Sequence, residues 1–454
     1  MSERLTSLRF RQNAAEAVLN RSLRGALRTT TDTFAIKRAQ GTESVPMDTW
    51  RDAASAIRMQ ALNNLPTYLD RFCANASRAG AMVHRAKDSQ SARDIVFNIL
   101  KDHGVRKIVK AKSMVTEEIH LNPYLEARGM EVVETDLGEY IVQIAGETPS
   151  HILAPAIHKS RQEVGQLFAE KLGVSYSDDP TVLVRIARNV LRKKFLSADA
   201  GITGANFAVA DSGSLVIFTN EGNGRMVTTL PPLHVAVLTI EKIIPSLTDL
   251  PSFIRLLPRS AAGQPLSSYL SLITGTRKTG EVTGAKDLHI VLVDNGRTEI
   301  LAGDFREILK CIRCSACLNV CPVYRVVGGH AYGSTYSGPM GIVLTELLDG
   351  MDKAHPLVDA TTLCGACVEV CPVQVPLLKL LKMLRERRVS EGFTSPFERA
   401  AMAGYALATK TPALFNLGQR ASQILWPILS RIAGKGVLDR LPRPARRRFR
   451  ERIS

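Results

Sequence analysis

Cys311-Ile-Arg-Cys314-Ser-Ala-Cys317-Leu-Asn-Val-Cys321-Pro322 and, further on, Cys364-Gly-Ala-Cys367-Val-Glu-Val-Cys371-Pro372 hold seven of the chain's eight cysteines. The first run is C-x2-C-x2-C-x3-C-P, the spacing of cysteine thiolates that hold iron–sulfur clusters. Three thiolates two residues apart let a short loop wrap one cubane, with backbone N–H groups left free to point at its sulfurs. The fourth cysteine, three residues on, faces away and serves the other cluster of a pair. The proline behind it has a fixed φ and no N–H, so the chain turns off the cluster instead of continuing a helix. A disulfide framework is out of place in a long, otherwise cysteine-poor chain. Zinc sites rarely join a third cysteine at this spacing to a following x3-C-P.

The crossover of the fourth cysteine assigns Cys311, Cys314, Cys317 and Cys371 to one [4Fe–4S] cluster. It leaves Cys321, Cys364 and Cys367 for the second. The position three residues before Cys364, where a fourth ligand would stand, is Thr361. Two outcomes follow: a [4Fe–4S] cluster with one iron on a non-cysteine ligand, or a [3Fe–4S] cluster. The 42 residues from Pro322 to Leu363 are too many for a compact two-cluster ferredoxin, and Gly338–Asp349 reads as a helix. The region resembles the α-helical ferredoxin-like domains of succinate dehydrogenase-type iron–sulfur subunits.

Outward from the cysteines the pattern changes. At 454 residues the chain is long enough for two or three domains. Residues 1–70 read as an N-terminal helical arm, with apolar positions at helical spacing around Trp50, Ile57 and Leu62. Residues 71–300 alternate strands and helices. Strands are expected at Ala81–His84, Arg106–Ala111, Met130–Thr135, Leu233–Ile240 and Leu288–Asp294, and helices at Ser91–Lys101, Glu117–Ala127, Gln162–Leu172 and Pro180–Lys194. Such succession argues a mostly parallel sheet covered by helices. Residues 301–390 form the iron–sulfur domain, and 391–454 a basic helical tail. Cys73, far from both cysteine runs, reads as a small core hydrophobe.

Asp211-Ser-Gly-Ser between two apolar runs is a hairpin signal. Asn220-Glu-Gly-Asn-Gly-Arg225 is a tight loop whose N–H groups could meet an anion, although glycine's backbone freedom alone accounts for it. No G-x-G-x-x-G follows a strand, so no dinucleotide site is expected.

The net charge is +16, from 59 basic and 43 acidic residues. Over half of that excess lies after Ala401, so the remainder is only mildly basic, and no nucleic-acid reading motif accompanies it. No apolar run approaches the roughly 18–20 residues that span a bilayer. The N-terminus has no apolar leader segment, and the thiolate ligands fit a reducing cytoplasm. The apolar segment Ile424–Ile432 beside Arg443-Pro-Ala-Arg-Arg-Arg-Phe-Arg450 could touch an anionic membrane surface, or dock on the protein with its charged end in solvent.

Several stretches closely resemble the lactate-utilisation (LUD) domain. They are Lys110-Ala-Lys-Ser-Met-Val-Thr-Glu-Glu118, Val133-Glu-Thr-Asp-Leu-Gly-Glu-Tyr140, Pro149-Ser-His-Ile-Leu-Ala-Pro-Ala-Ile-His-Lys159 and most of Ala198–Pro245. A LUD domain followed by two ferredoxin runs is similar to the lactate utilisation protein B family. The resemblance implies an α/β domain with a fold like ribose-phosphate isomerases and CoA transferases, followed by a two-cluster domain. It implies an electron-transfer subunit of a bacterial complex oxidising L-lactate to pyruvate, whose partners are a cysteine-rich iron–sulfur subunit and a second LUD protein. Thr361 also matches the family's usual serine or threonine. The alternative is an acyl- or CoA-transferase with accessory clusters, in which Glu221 would be the nucleophile.

Overall fold

The computed structural model describes residues 6–432. Ten strands form two sheets: β1 (Met82–Ala86), β2 (Lys107–Lys110), β3 (Glu131–Glu134), β4 (Ala200–Thr203), β5 (Phe207–Val209), β6 (Ser214–Thr219), β7 (Leu233–Thr239), β8 (Ile243–Ile244), β9 (Tyr269–Ile273) and β10 (Asp287–Val293). The main sheet is β1-β10-β7-β4-β2-β3, with every pair parallel. Its central strands β4, β7 and β10 are buried on both faces, as a sheet covered on both sides requires. In β7, Val235 and Val237 join one core with Val96, Leu100, Ile108, Ile202 and Val291. Ala236 and Leu238 face the other way, onto Phe72, Ala76 and Leu292. Period-two alternation of side chains divides one apolar run between two cores. Phe72 has no exposed surface, and its truncation to alanine is worth about 3–5 kcal/mol.

Two features depart from the sequence reading. The expected helix over 117–127 is two short helices, Met114–Glu118 and Leu121–Glu126, broken at His120 with φ 50°. The break sends Glu118 toward the iron–sulfur domain while Leu121 enters the sheet core. The second sheet, β8-β5-β6-β9, was legible only in its β5–β6 hairpin. The pairs that complete it, β8 with β5 and β9 with β6, are long-range and leave no local turn signal.

Helices Phe10–Leu19, Arg21–Thr42, Met47–Asn63 and Leu65–Arg78 make up the N-terminal region. They meet both the α/β part and the helical region that carries the cysteines. Phe10 packs on Tyr332, and Arg11 pairs with Asp359 at 2.7 Å. Leu65–Arg78 lies against the sheet, where half-buried Cys73 packs beside Phe72 and faces Arg85. From Arg306 to Leu377 the chain is built only of short helices and turns.

The chain divides into two compact units at Glu386 and Arg387. The second has helices Pro396–Thr409 and Pro412–Ile432, the first capped by Ser395 Oγ accepting from Glu398 N–H. The basic run at 443–450 lies outside the described residues. No described helix is long and apolar enough to cross a membrane.

Candidate iron–sulfur centres

Cys311, Cys314, Cys317 and Cys371 line one otherwise largely apolar cavity with Ile312, Met340 and Val375. Their thiols interact electrostatically with one another. Cys321, Cys364 and Cys367 interact in the same way, and Cys367 also reaches Cys371 and Cys317 of the first set. Sixty residues of chain separate Cys311 from Cys371, and the fold closes that gap.

The loops hold the backbone in unusual conformations. Four of the six described non-glycine residues in the left-handed region lie beside these cysteines: Arg313 (φ 59°), Ser315 (65°), Leu363 (56°) and Gln374 (50°). Gly365, between Cys364 and Cys367, has φ 88°. Alternation of right- and left-handed residues turns successive N–H groups inward and makes an anion-binding concavity. Arg313 N–H donates to Cys311 Sγ at 3.4 Å, and Val375 N–H to Cys371 Sγ at 3.2 Å. The Tyr324 and Val323 N–H groups serve Cys321, and that of Ala366 serves Cys364. Strained non-glycine backbone of this sort persists only where its surroundings over-determine it.

Burial and neighbouring thiols push Cys314 and Cys317 well above the ordinary thiol value, and Cys367 up to about 12. Cys364 is the exception. It is exposed, and the Ala366 N–H and Thr362 hydroxyl hold it below the ordinary value. Four thiols gathered in an apolar cavity cannot ionise together unless positive charge sits among them. An iron–sulfur core supplies that charge, so the donor set fits the group. Among the described residues no three His, Cys, Asp or Glu side chains close on a single ion; a cubane takes each thiolate at its own corner and keeps its ligands apart. Thr361, at the place of a fourth ligand in the second group, accepts Leu363 N–H on its hydroxyl at 3.1 Å.

A buried ionic network joins the first cysteine loop to the sheet. Arg313 Nη2 lies 3.3 Å from Glu241, just past β7, and Arg297 Nε lies 3.0 Å from the same carboxylate. Arg297 also makes a bidentate pair with Glu118 at 2.6 and 2.8 Å, and Tyr336 Oη donates to Glu118 at 2.6 Å. The two arginines outweigh the cost of burying Glu241 and hold it down at about 2. Arg58, fully buried, donates to the carbonyls of Leu309 (2.7 Å), Lys310 (3.2 Å), Ile243 (2.8 Å) and Glu241. One side chain of the N-terminal region thus ties the sheet to the segment entering Cys311. Sequence reading missed these residues. The available signal was a charge on an apolar face, since Arg58 lies in line with buried Ala54, Ala61 and Leu62.

His151 makes a second connection. Its Nδ1 accepts the N–H groups of Leu153 and Ala154, so Nε2 carries the proton and donates to Asn319 Oδ1 at 2.9 Å. Asn319 stands between Cys317 and Cys321. Burial holds His151 neutral, down at about 3. Glu221 lies on the exposed loop after β6, beside Asp136 and Lys112.

A LUD domain model matches residues 69–293, and a 4Fe-4S dicluster domain model matches 307–375. Proteins called "Lactate utilization protein B" are similar over nearly the whole chain. That of Bacillus licheniformis is 44% identical, over 92% of this chain and 89% of its own. That of Bacillus subtilis is 44% identical over 90% and 86%, and that of Macrococcus caseolyticus 43% over 98% and 94%. With a LUD domain followed by a 4Fe-4S dicluster domain and this identity along most of its length, the chain belongs to the lactate utilisation protein B family.

Proposed function

We propose that this protein is the iron–sulfur electron-transfer subunit of a complex that oxidises L-lactate to pyruvate. The observation that carries the reading is the grouping of the cysteines, four and three, around N–H-lined loops at the end of the α/β sheet. In this reading Cys311, Cys314, Cys317 and Cys371 hold a [4Fe–4S] cluster. Cys321, Cys364 and Cys367 hold the second, which is [3Fe–4S] or has a non-cysteine ligand on one iron. Bound clusters accept and pass on electrons singly. The residues of this chain shape that chemistry: Arg58 and Arg313 place positive charge beside the first group, and apolar walls exclude water from it. The lactate assignment comes from the names of the relatives. Its partners in this reading are a cysteine-rich iron–sulfur subunit and a second LUD protein.

The parallel sheet with helices on both faces supports a fold like those of ribose-phosphate isomerases and CoA transferases. A cytoplasmic location fits the free thiols. Phe397, Met402, Phe415 and Ile424 are exposed on the C-terminal helices, and no acid occurs between Arg399 and Leu438. Both features support peripheral contact with an anionic membrane face.

EPR of anaerobically purified protein tests the reading. When L-lactate and the partner subunits are added together, the first cluster should gain a reduced [4Fe–4S] signal and the second should gain one or, as [3Fe–4S], lose its signal near g = 2; neither change should occur when the partners are left out. Protein without iron, or clusters that stay oxidised with lactate and both partners present, would refute it.

A further inference from the structure

The stretches that carry the LUD resemblance come from separate parts of the chain and meet at one place, beyond the carboxyl ends of β2, β3 and β4. From β2 the chain runs to its outer neighbour β3, then returns to β4 on the other side. Strand order reverses between β2 and β4, and in open parallel sheets ligands bind in the crevice at such a point. Lys112 stands two residues past β2. Asp136 stands two past β3 and caps the helix Leu137–Ala145, whose first turn carries Glu139. Glu221 comes from the loop after β6 and accepts Leu137 N–H. Lys112 interacts with Asp136, Glu139 and Glu221, and with His151.

The two lysines of this corner differ. Lys110 is buried and fully partnered, at 2.5 Å from Glu134 and 3.2 Å from Glu117, while Asn122 donates to Glu134 at 2.7 Å. That set is structural. Among the described residues Lys112 has no hydrogen bond, and Glu139, at 3.9 Å, is the only carboxylate within ion-pair reach. Glu139 is 3% exposed, and its Oε1 is buried without a hydrogen-bond partner. A buried carboxylate oxygen left without a donor is costly. Two opposite charges facing each other without a hydrogen bond mark a place built for a third party.

The charges select that party. The corner holds Lys112 facing three carboxyl groups, Asp136, Glu139 and Glu221, and burial pushes Glu221 up and Glu139 up to about 8. A dianionic phosphate finds a single lysine among three carboxyl groups, and a simple carboxylate satisfies Lys112 but leaves Glu139 Oε1 without a partner. A metal cation is opposed by Lys112. A molecule with an acceptor and a hydroxyl donor on adjacent atoms satisfies both sides at once.

We propose that Lys112, Glu139 and Glu221 form a binding site for a small 2-hydroxycarboxylate. Lys112 takes the carboxylate, the hydroxyl gives its one hydrogen to Glu139 Oε1, and Glu221 flanks Lys112. His151 and Asn319 set this site against the helix between Cys317 and Cys321. The choice of ligand rests on the lactate reading above, and it deepens that reading by naming the residues.

Isothermal titration of L-lactate into the full-length, cluster-loaded chain tests the site, with acetate and orthophosphate as comparisons. L-Lactate should bind, and acetate and phosphate should bind at least tenfold more weakly. Lys112→Met and Glu221→Gln should each weaken lactate at least tenfold, for the lysine the equivalent of one charge-assisted hydrogen bond. Visible cluster absorbance should stay unchanged in both variants, and the melting profile in Glu221→Gln. Glu221 lies on an exposed loop, so its variant carries the test if Lys112→Met fails to fold. Equal lactate affinity in wild type and in Glu221→Gln overturns the site. Tighter binding of phosphate, or acylation of Glu221 by acetyl-CoA, overturns it in favour of transfer chemistry. A chain that binds no lactate although its clusters are reduced by lactate and partners loses this site and keeps its electron-transfer role. Lactate binding lost in the variants, in a chain whose clusters are never reduced, keeps the site and sinks that role.

Discussion

The two cysteine groups share ligand chemistry and neighbouring sequence, yet their surroundings differ. The group containing Cys314 lies under Arg58, Arg313 and the Glu241–Arg297–Glu118 network, against the end of the sheet. The group containing Cys364 has one thiol in solvent, with Thr361 at the place of a fourth ligand. Burial pushes Cys314, Cys317 and Cys371 up, and Cys321 and Cys367 with them, whereas local hydrogen bonds hold Cys364 down. The first group therefore has no exposed thiol, whereas the second opens to solvent at Cys364 alone, with Cys321 and Cys367 buried. Tertiary burial makes that difference.

The largest expected effect concerns which cysteines belong together. Cys314→Ala and Cys371→Ala should abolish the same cluster, leaving the other EPR signal in place. If Cys371→Ala instead removes the cluster held by Cys364 and Cys367, this division of the cysteines is wrong. Arg58→Met should come next. Four carbonyls lose their donor, a loss of at least about 1–3 kcal/mol for buried acceptors left unpaired, read as a shifted urea midpoint. It should also make the first cluster release iron to a chelator nearly as fast as the second, erasing the contrast.

Thr361 sharpens the comparison from the other side. Mild oxidation should convert only the second cluster to [3Fe–4S], with a signal near g = 2 of about one spin per chain. A neutral oxygen is a poorer partner for iron in a cluster than thiolate. Thr361→Cys should suppress that signal and raise iron from about seven to about eight per chain, following the four-cysteine rule. Eight irons that resist oxidation in the wild type would mean that another ligand completes the site. The smallest effect is on potential. Arg313→Gln removes a buried charge beside Cys311, worth on the order of 2 kcal/mol at an effective dielectric constant near 20. For one electron that is about 90 mV. The first potential should fall, because the reduced cluster is the more negative, and the second should barely move.

Acid should act through His151. Its folded value, about 3, lies below the ordinary 6.5, so the unfolded chain binds the extra proton. Stability is therefore intact above about pH 6.5 and falls as pH drops toward 3. His151→Gln should flatten that part of the pH–stability curve, measured on cluster-free protein so that acid loss of iron does not intervene.

Local rules were enough for much of this molecule. Strands such as Leu233–Thr239 and Asp287–Val293 are continuous apolar runs, and Gly338–Asp349 and Pro180–Leu196 carry helical periodicity with proline at the start. The cysteine spacing declares its chemistry because a single loop must wrap a single cubane. Long-range partners left no such mark. Strands β8 and β9 are short segments that become a sheet only through distant neighbours, and the break at His120 serves Glu118's reach to Arg297. What the sequence determined alone is the residue types and local spacing that define the LUD and dicluster domains. Tertiary structure decided which of two adjacent lysines is spare, which arginine is buried beside a thiol, and which cysteine meets solvent. Burial and charge pairing are properties of elements brought together from far along the chain, and no local window contains both members of those pairs.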